Sequence, residues 1–341
     1  MKQRNQFLDY IKGALMILVM EGHCLQAVSV GDSYYDMYLF KVIYSFHMPL
    51  FIAVSGYLFF FSQEHKSCVS VIRHRALPLV FILIVWNTIM YFIYCALHGN
   101  LNEISLIGLI GSWRGLWFIW SVLFSSILMT VLERINIVAK IIILCCSMII
   151  FSSIPFTQTV AFVFPYFFIG FYISKYKIVR MQIPIRIAIM FLYVIMLACF
   201  EKKHYVYTSG VNIFSSPYGI VEQIHIDCYR WIIGFLGSVF VCYILYFLYV
   251  KIEFARNKIC EIGKNSLKYY IFQTILIEMV FGTPIKELTS TLSLPSGMTF
   301  ISTLCFTVLA ILICKILVVL LQRFKRIDYF LFGDFLKCTC R

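Results

Sequence analysis

The chain has 341 residues, of which 61% are hydrophobic and only 13% charged, with a mean hydropathy of +0.88. Soluble domains carry about a quarter charged residues, so this composition excludes a water-soluble core-and-shell protein and leaves no stretch polar enough for a fused soluble catalytic module. The net charge of +13 would point to nucleic acid on a soluble domain, but here the basic residues stand in short blocks between apolar runs, so no nucleic-acid partner is expected.

Apolar windows predict roughly ten spans, near 7–28, 39–62, 76–97, 113–132, 138–153, 160–174, 185–200, 228–250, 268–284 and 298–321. With the N-terminus inside, twenty-one lysines and arginines fall on the cytoplasmic side and six outside, with Lys12 and Lys315 inside spans. That bias predicts an all-α polytopic membrane protein, a bundle of about ten transmembrane helices with both termini cytoplasmic. The whole chain, 1–341, reads as one integral membrane domain with an outer loop at about 201–227 and a short basic tail at about 322–341. Thirteen cysteines stand mostly alone in apolar stretches, as small buried hydrophobes, and show no zinc spacing.

The first span holds four ionisable residues, Asp9, Lys12, Glu21 and His23, and lacks a small-residue cleavage pattern, so it is expected to stay in the protein. Such groups are costly within a bilayer unless they meet a partner or water, which makes each a functional candidate. On a helix Asp9, Lys12 and His23 fall within roughly 60° of one another and form one stripe, His23 lying about 21 Å deeper than Asp9. Glu21 points about 200° away from His23. Asp9 and Lys12 are spaced to neutralise each other.

The second span opens with Phe46-His47-Met48-Pro49-Leu50-Phe51 on the outer side, so His47 starts at a depth close to that of His23. A neutral imidazole can take a proton from a sugar hydroxyl, which suits either histidine to general-base work in acyl transfer. Paired histidines also suit a metal, but no further ligands recur at a sensible spacing, and no metal is expected. Arg73 and Arg75, before the third span, can clamp the phosphates of a nucleotide-like donor, or simply anchor the helix at the inner face. Trp117 in the fourth span, and Glu222, His225 and Asp227 at the end of the outer loop, are candidate substrate contacts or local packing and pairing residues.

Taken in order, Arg4-Asn5-Gln6-Phe7-Leu8-Asp9-Tyr10-Ile11-Lys12-Gly13 with Gly22-His23, Phe46 to Phe51 with Ser55-Gly56-Tyr57, and the arginines before Pro78 carry a family resemblance. Leu116-Trp117-Phe118, Pro165 to Gly170 and Ile262 to Tyr270 extend it across most of the chain. The sequence resembles the acyltransferase-3 superfamily of integral membrane acyltransferases, particularly the branch similar to fucose 4-O-acetylases. The resemblance implies transfer of an acyl group, usually acetyl, from cytosolic acyl-CoA to a hydroxyl of a carbohydrate or lipid-linked glycan, in a bacterial inner membrane. It implies His23 as the catalytic histidine and Arg73 and Arg75 as functional. The placement of the residues agrees, with acetyl-CoA docking at Arg73 and Arg75, its thioester arm entering along the Asp9, Lys12 and His23 stripe, and His47 orienting the base or the acceptor.

Two departures stand out. The arginines are two apart, where the family commonly spaces them four apart, and Gln273 stands where many relatives have a histidine. Glutamine hydrogen-bonds but does not act as a base at neutral pH. Glu278 matches no motif and reads as a local pair or acceptor contact. Membrane lipid is an expected partner, and a homo-oligomer stays open. A glycan transporter or flippase using the same charged stripe, or a non-catalytic sensor or assembly partner on this scaffold, are the rival readings.

Overall fold

The computed structural model describes residues 5–63, 67–113, 115–154, 157–178, 181–212, 216–292 and 296–334. The distal tail, 335–341, and Arg4 of the opening motif lie outside the described residues. The principal helices are α1 (Gln6–Val28), α2 (Tyr38–Gln63), α3 (Leu77–Leu97), α4 (Trp117–Leu132), α5 (Ile137–Ser153), α6 (Gln158–Lys175), α7 (Ile183–Ala198), α8 (Ile220–Lys251), α9 (Glu253–Lys264), α10 (Ser266–Gln273), α11 (Gly282–Leu292) and α12 (Ser296–Arg323). Two π-helical segments interrupt this pattern, Ile72–Ala76 ahead of α3 and Thr274–Phe281 between α10 and α11. No strand occurs among the described residues.

Among the described residues five helices are long and apolar enough to cross a membrane: Gln6–Val28, Tyr38–Gln63, Val69–Leu97, Ile220–Lys251 and Met298–Arg323. A sixth is obtained if Leu106–Ser112 and Trp117–Leu132, bent by 69° against each other, form one broken span. Helices Ile137–Ser153 and Ile183–Ala198 are apolar but shorter. The ten apolar windows of the sequence thus resolve into five or six helices of spanning length and several shorter elements. The window at 268–284 is one helical run, α10, the π segment and α11, rather than a uniform span.

The connection expected at 201–227 is also shorter than its polarity predicts. Residues 220–227 already belong to α8, so Glu222, His225 and Asp227 sit in its first turns. Polar residues accumulate there because one face of this helix pairs with the preceding loop, as described below.

The chain divides into two compact units, one of residues 1–51, 182–202 and 233–324, the other of residues 52–181, 203–232 and 325–341. In the first unit α1 is the central helix. Asn5 caps it, its side-chain oxygen accepting from the Phe7 and Leu8 amides at 3.0 and 3.4 Å, and Asp9 in the first turn complements the helix dipole. The helix stops at Ser29, whose backbone turns extended, shortly before Gly31 at a φ of +56°. It packs against α9, α10, the Thr274–Phe281 segment, α11 and α12, burying Met16, Met20, Cys24, Ile277, Ala310 and Cys314 in one cluster.

Lipid tails are as apolar as leucine, so helices in a bilayer associate through close packing and small residues rather than hydrophobic transfer. A Cβ on Gly13 would stand 1.9 Å from the Ile259 carbonyl oxygen, and one on Gly263 would stand 1.8 Å from the Asp9 carbonyl oxygen. The backbones of α1 and α9 therefore touch directly. The second unit repeats the device between α2 and α6, where a Cβ on Gly56 would lie 2.1 Å from the Phe167 oxygen and one on Gly170 would lie 2.0 Å from the Ala53 oxygen.

Two polar clusters also hold the second unit. Glu133, just after α4, receives Lys175 and the Tyr172 hydroxyl, the latter at 2.5 Å, with Lys140 at 3.5 Å. Burial alone raises the Glu133 pKa, but hydrogen bonds from Lys175 and Tyr172 and the nearby Lys175 and Lys140 charges outweigh it, leaving the carboxyl below its usual value. Arg230 on α8 is 2% exposed and pairs with Asp227 at 2.8 Å. Its other donors reach the carbonyls of Lys203, His204, Tyr205 and Gly210 at 2.6 to 3.0 Å, and the Ser209 hydroxyl. One guanidinium thus gathers the loop backbone onto the helix.

Candidate active site

The catalytic candidates of the sequence lie in the first unit. Asp9 is buried and accepts from Lys12 Nζ at 3.0 Å, one helical turn away. That contact is the neutralising pair expected from their spacing, at the start of α1. His23, on the same helix, is partly exposed and makes a different pairing: its Nδ1 lies 3.3 Å from Glu278 Oε1.

Glu278 reaches His23 from the Thr274–Phe281 π segment. Such segments insert a residue into the hydrogen-bond ladder, change which side chains share a face, and occur frequently at functional sites. A carboxylate facing Nδ1 favours the tautomer with a proton on that nitrogen, which leaves the Nε2 lone pair to accept one. Glu278 carried no motif; its signal in the sequence was a lone acid in the apolar run Thr274-Ile275-Leu276-Ile277-Glu278-Met279-Val280-Phe281.

His47 is buried, and its Nδ1 lies 2.7 Å from the Ile43 carbonyl oxygen. A carbonyl only accepts, so Nδ1 carries the proton and Nε2 is again the basic nitrogen. Tyr44 packs edge-on at 4.7 Å between ring centroids. Pro49, two residues on, removes one rung of the helical ladder beside it. Glu21, as expected from its angle, turns away from His23, toward Thr307.

A cavity of about 430 Å³ lies at the C-terminal end of α1, lined by Val28, Ser29, Val30, Ser33, Asp36, Met37, Thr289 and Thr299, with neither His23 nor Glu278 in its wall. Val28 lies five residues past His23, about 8 Å along the helix axis. The π segment that carries Glu278 runs directly into α11, which carries Thr289. The helix that bears the histidine and the helix that follows its acid thus both reach the cavity wall. Its polar groups are four hydroxyls and one carboxylate, a lining matched to a neutral polyhydroxyl compound.

The remaining candidates lie in the second unit. Arg73 and Arg75 are exposed within the Ile72–Ala76 π turn, which packs on α4. Two positions apart on a helical turn, they leave it in different directions and do not form one fork. Trp117 opens α4 directly after Leu116, which is buried at a φ of +52°, an unusual backbone state for a bulky residue. Glu222 is exposed and 3.9 Å from Lys203, and His225 is exposed. Asp227 is 5% exposed, with its carboxylate engaged by Arg230 and by Gln223 at 3.1 Å. Asp227 thus makes a local pair, centred on Arg230. Back in the first unit, Gln273 is fully buried and donates to the Thr274 hydroxyl at 3.0 Å.

Comparison with known proteins adds a family to this geometry. A family model described as an acyltransferase domain, acyltransferase-3, matches residues 5–319. Nodulation protein NolL of Sinorhizobium fredii is 32% identical over 185 residues, 50% of this chain and 49% of that protein. Nodulation protein NolL of Mesorhizobium japonicum is 32% identical over 184 residues, 50% of this chain and 48% of that protein. The chain thus aligns with about half the length of these curated relatives. No solved structure matches. With the family model spanning α1 through most of α12, the chain belongs to the acyltransferase-3 family of acyltransferases.

Proposed function

We propose that the protein is a multi-pass O-acyltransferase of a bacterial inner membrane that moves an acetyl group from acetyl-CoA to a sugar hydroxyl of a surface polysaccharide or its lipid-linked precursor. The observation that carries this reading is the His23–Glu278 contact, and a hydroxyl-lined cavity at the far end of the same helix supports it. His23 Nε2 takes the proton of the acceptor hydroxyl as its oxygen attacks the thioester carbonyl; the tetrahedral intermediate collapses, and the imidazolium returns the proton to the departing coenzyme A sulfur. Glu278 holds the ring and stabilises the imidazolium while it lasts. A general base so positioned contributes about 10²–10⁴-fold.

His47, presenting Nε2 from the neighbouring helix, orients the acceptor hydroxyl. Asp9 and Lys12 fix the inner end of α1, and Arg73 and Arg75 meet the phosphates of the donor as separate cationic contacts. Asp36, Ser33 and Thr289 hold the sugar. The test is transfer of radiolabelled acetyl from acetyl-CoA to a total glycolipid extract by membranes containing the protein. Label in glycan is expected, and none with His23→Ala at equal membrane abundance. Full activity of that variant removes the assignment.

A further inference from the structure

Four buried polar atoms of the second unit lie at or just after the break between Leu106–Ser112 and α4, and among the described residues none has a hydrogen-bond partner. Asn87, on α3, is 1% exposed. Its Nδ2 donates to the Leu83 carbonyl at 2.8 Å and reaches that of Trp113 at 3.5 Å. Carbonyls only accept, so the amide is oriented and the unpartnered atom, Oδ1, is an acceptor. Gly115 makes way for it: a Cβ there would stand 2.5 Å from Oδ1. The buried Trp113 indole N–H is an unpartnered donor. Ser121 and Ser125, fully buried and one turn apart on α4, add two hydroxyls. A helical serine can donate to the carbonyl four residues back, and these two do not.

Buried polar groups without a partner are costly and few in native proteins, so four in one region mark the place of a ligand. From this layout we infer that the seam of α3 and α4 binds the pantetheine arm of the acyl donor, a secondary amide meeting Asn87 Oδ1 and the Trp113 indole and further polar groups of the arm meeting the serine hydroxyls. A secondary amide presents one N–H and one carbonyl, the complement of an unpartnered acceptor and an unpartnered N–H. The order along the seam also fits. α4 packs on α3 and on the Ile72–Ala76 turn, which carries Arg73 and Arg75, and Asn87 stands ten residues past Leu77, the first of α3, or about 15 Å along the helix. Phosphate contacts and amide contacts thus follow one another as coenzyme A carries those groups. Leu116, in the break, is buried at a φ of +52°, a backbone state that bulky residues keep where the surroundings enforce it, often at ligand sites. A lipid tail in the seam would leave all four polar atoms without partners.

The inference rests on the acyl-CoA donor of the proposed function, and the test separates the two. Coenzyme A and ADP, which has phosphates but no arm, are titrated calorimetrically into the full-length protein in a mild detergent. Coenzyme A is expected to bind at least tenfold more tightly than ADP. Trp113→Phe and Ser121→Ala should each weaken coenzyme A by about three- to tenfold and leave ADP unchanged. Thermal unfolding of the ligand-free variants should be unchanged or shifted upward, because the group removed had no partner to lose. Undiminished coenzyme A affinity in both variants overturns the inference and leaves the donor reading standing; no binding of coenzyme A by the unaltered protein overturns both. N-acetylglucosamine bound by the unaltered protein and lost in Trp113→Phe assigns the amide to the sugar acceptor and overturns the inference. Should Trp113→Phe not fold, Ser121→Ala, which removes a single oxygen, carries the test alone.

Discussion

His23 Nδ1 and Glu278 Oε1 stand 3.3 Å apart, one from the opening helix and the other from a π-helical turn near the opposite end of the chain. A carboxylate in that position selects a tautomer and stabilises an imidazolium, so its removal should lower turnover without removing the base itself. Glu278→Gln is expected to reduce the acetylation rate at saturating donor and acceptor by about 10- to 100-fold while His23→Ala abolishes it. An unchanged rate in Glu278→Gln would leave the acid as a packing contact.

The contact between α1 and α9 leaves no room for a methyl group. Gly263→Ala would press a carbon against the Asp9 carbonyl, now 1.8 Å from the Cβ position, and the backbones would have to separate. Overpacking of this kind costs about 1–3 kcal/mol. Lower thermal stability in detergent is expected, with activity lost although no ionisable group has changed. A Gly263→Ala protein as stable and active as the original would mean that α9 moves freely.

The Glu133 cluster gives a pH dependence of known sign. Its carboxyl titrates below the unfolded value because hydrogen bonds and the cations Lys175 and Lys140 overcome the effect of burial. A depressed carboxyl pKa contributes stability above the unfolded pKa of about 4.3, and that contribution is lost as pH falls through the folded value. Glu133→Gln should therefore be less stable by about 1 kcal/mol at pH 7, with the gap closing in strong acid. Thermal unfolding across that range measures it, and a gap that widens in acid contradicts the assignment.

Arg230 and Asp227 are both nearly sealed from solvent. Removing one partner of a buried pair leaves an uncompensated charge and costs about 3–5 kcal/mol. Arg230→Met is expected to lose that much stability and to release the 203–210 segment to limited proteolysis. Adding Asp227→Leu should return part of the loss, because neither charge then lacks its counterpart. A double variant as unstable as the sum of the singles would show that the pair itself contributes nothing.

The membrane character and the five long helices follow from uninterrupted apolar runs. What the runs hide is geometry at their polar points. Arg73, His74 and Arg75 look like the end of a span, yet the helical run begins at Val69, because a π turn continues the backbone through them. Glu222, Gln223, His225 and Asp227 look like loop, because a helix whose polar face binds loop carbonyls has the composition of the loop it binds. Asp9 and Lys12 were legible as a pair since they are one turn apart. Glu278 was not legible as the partner of His23, since nothing local in either segment encodes contacts between distant helices.

The motif glycines have a consequence for reading other chains. Gly13 with Gly263, and Gly56 with Gly170, mark places where one main chain rests on another, and that requirement is indifferent to chemistry. A homologue that had abandoned transfer altogether would still need all four, and would still score as kin. Whether such a protein remains an enzyme must therefore be asked at the imidazole and its acid, where the scaffold imposes nothing.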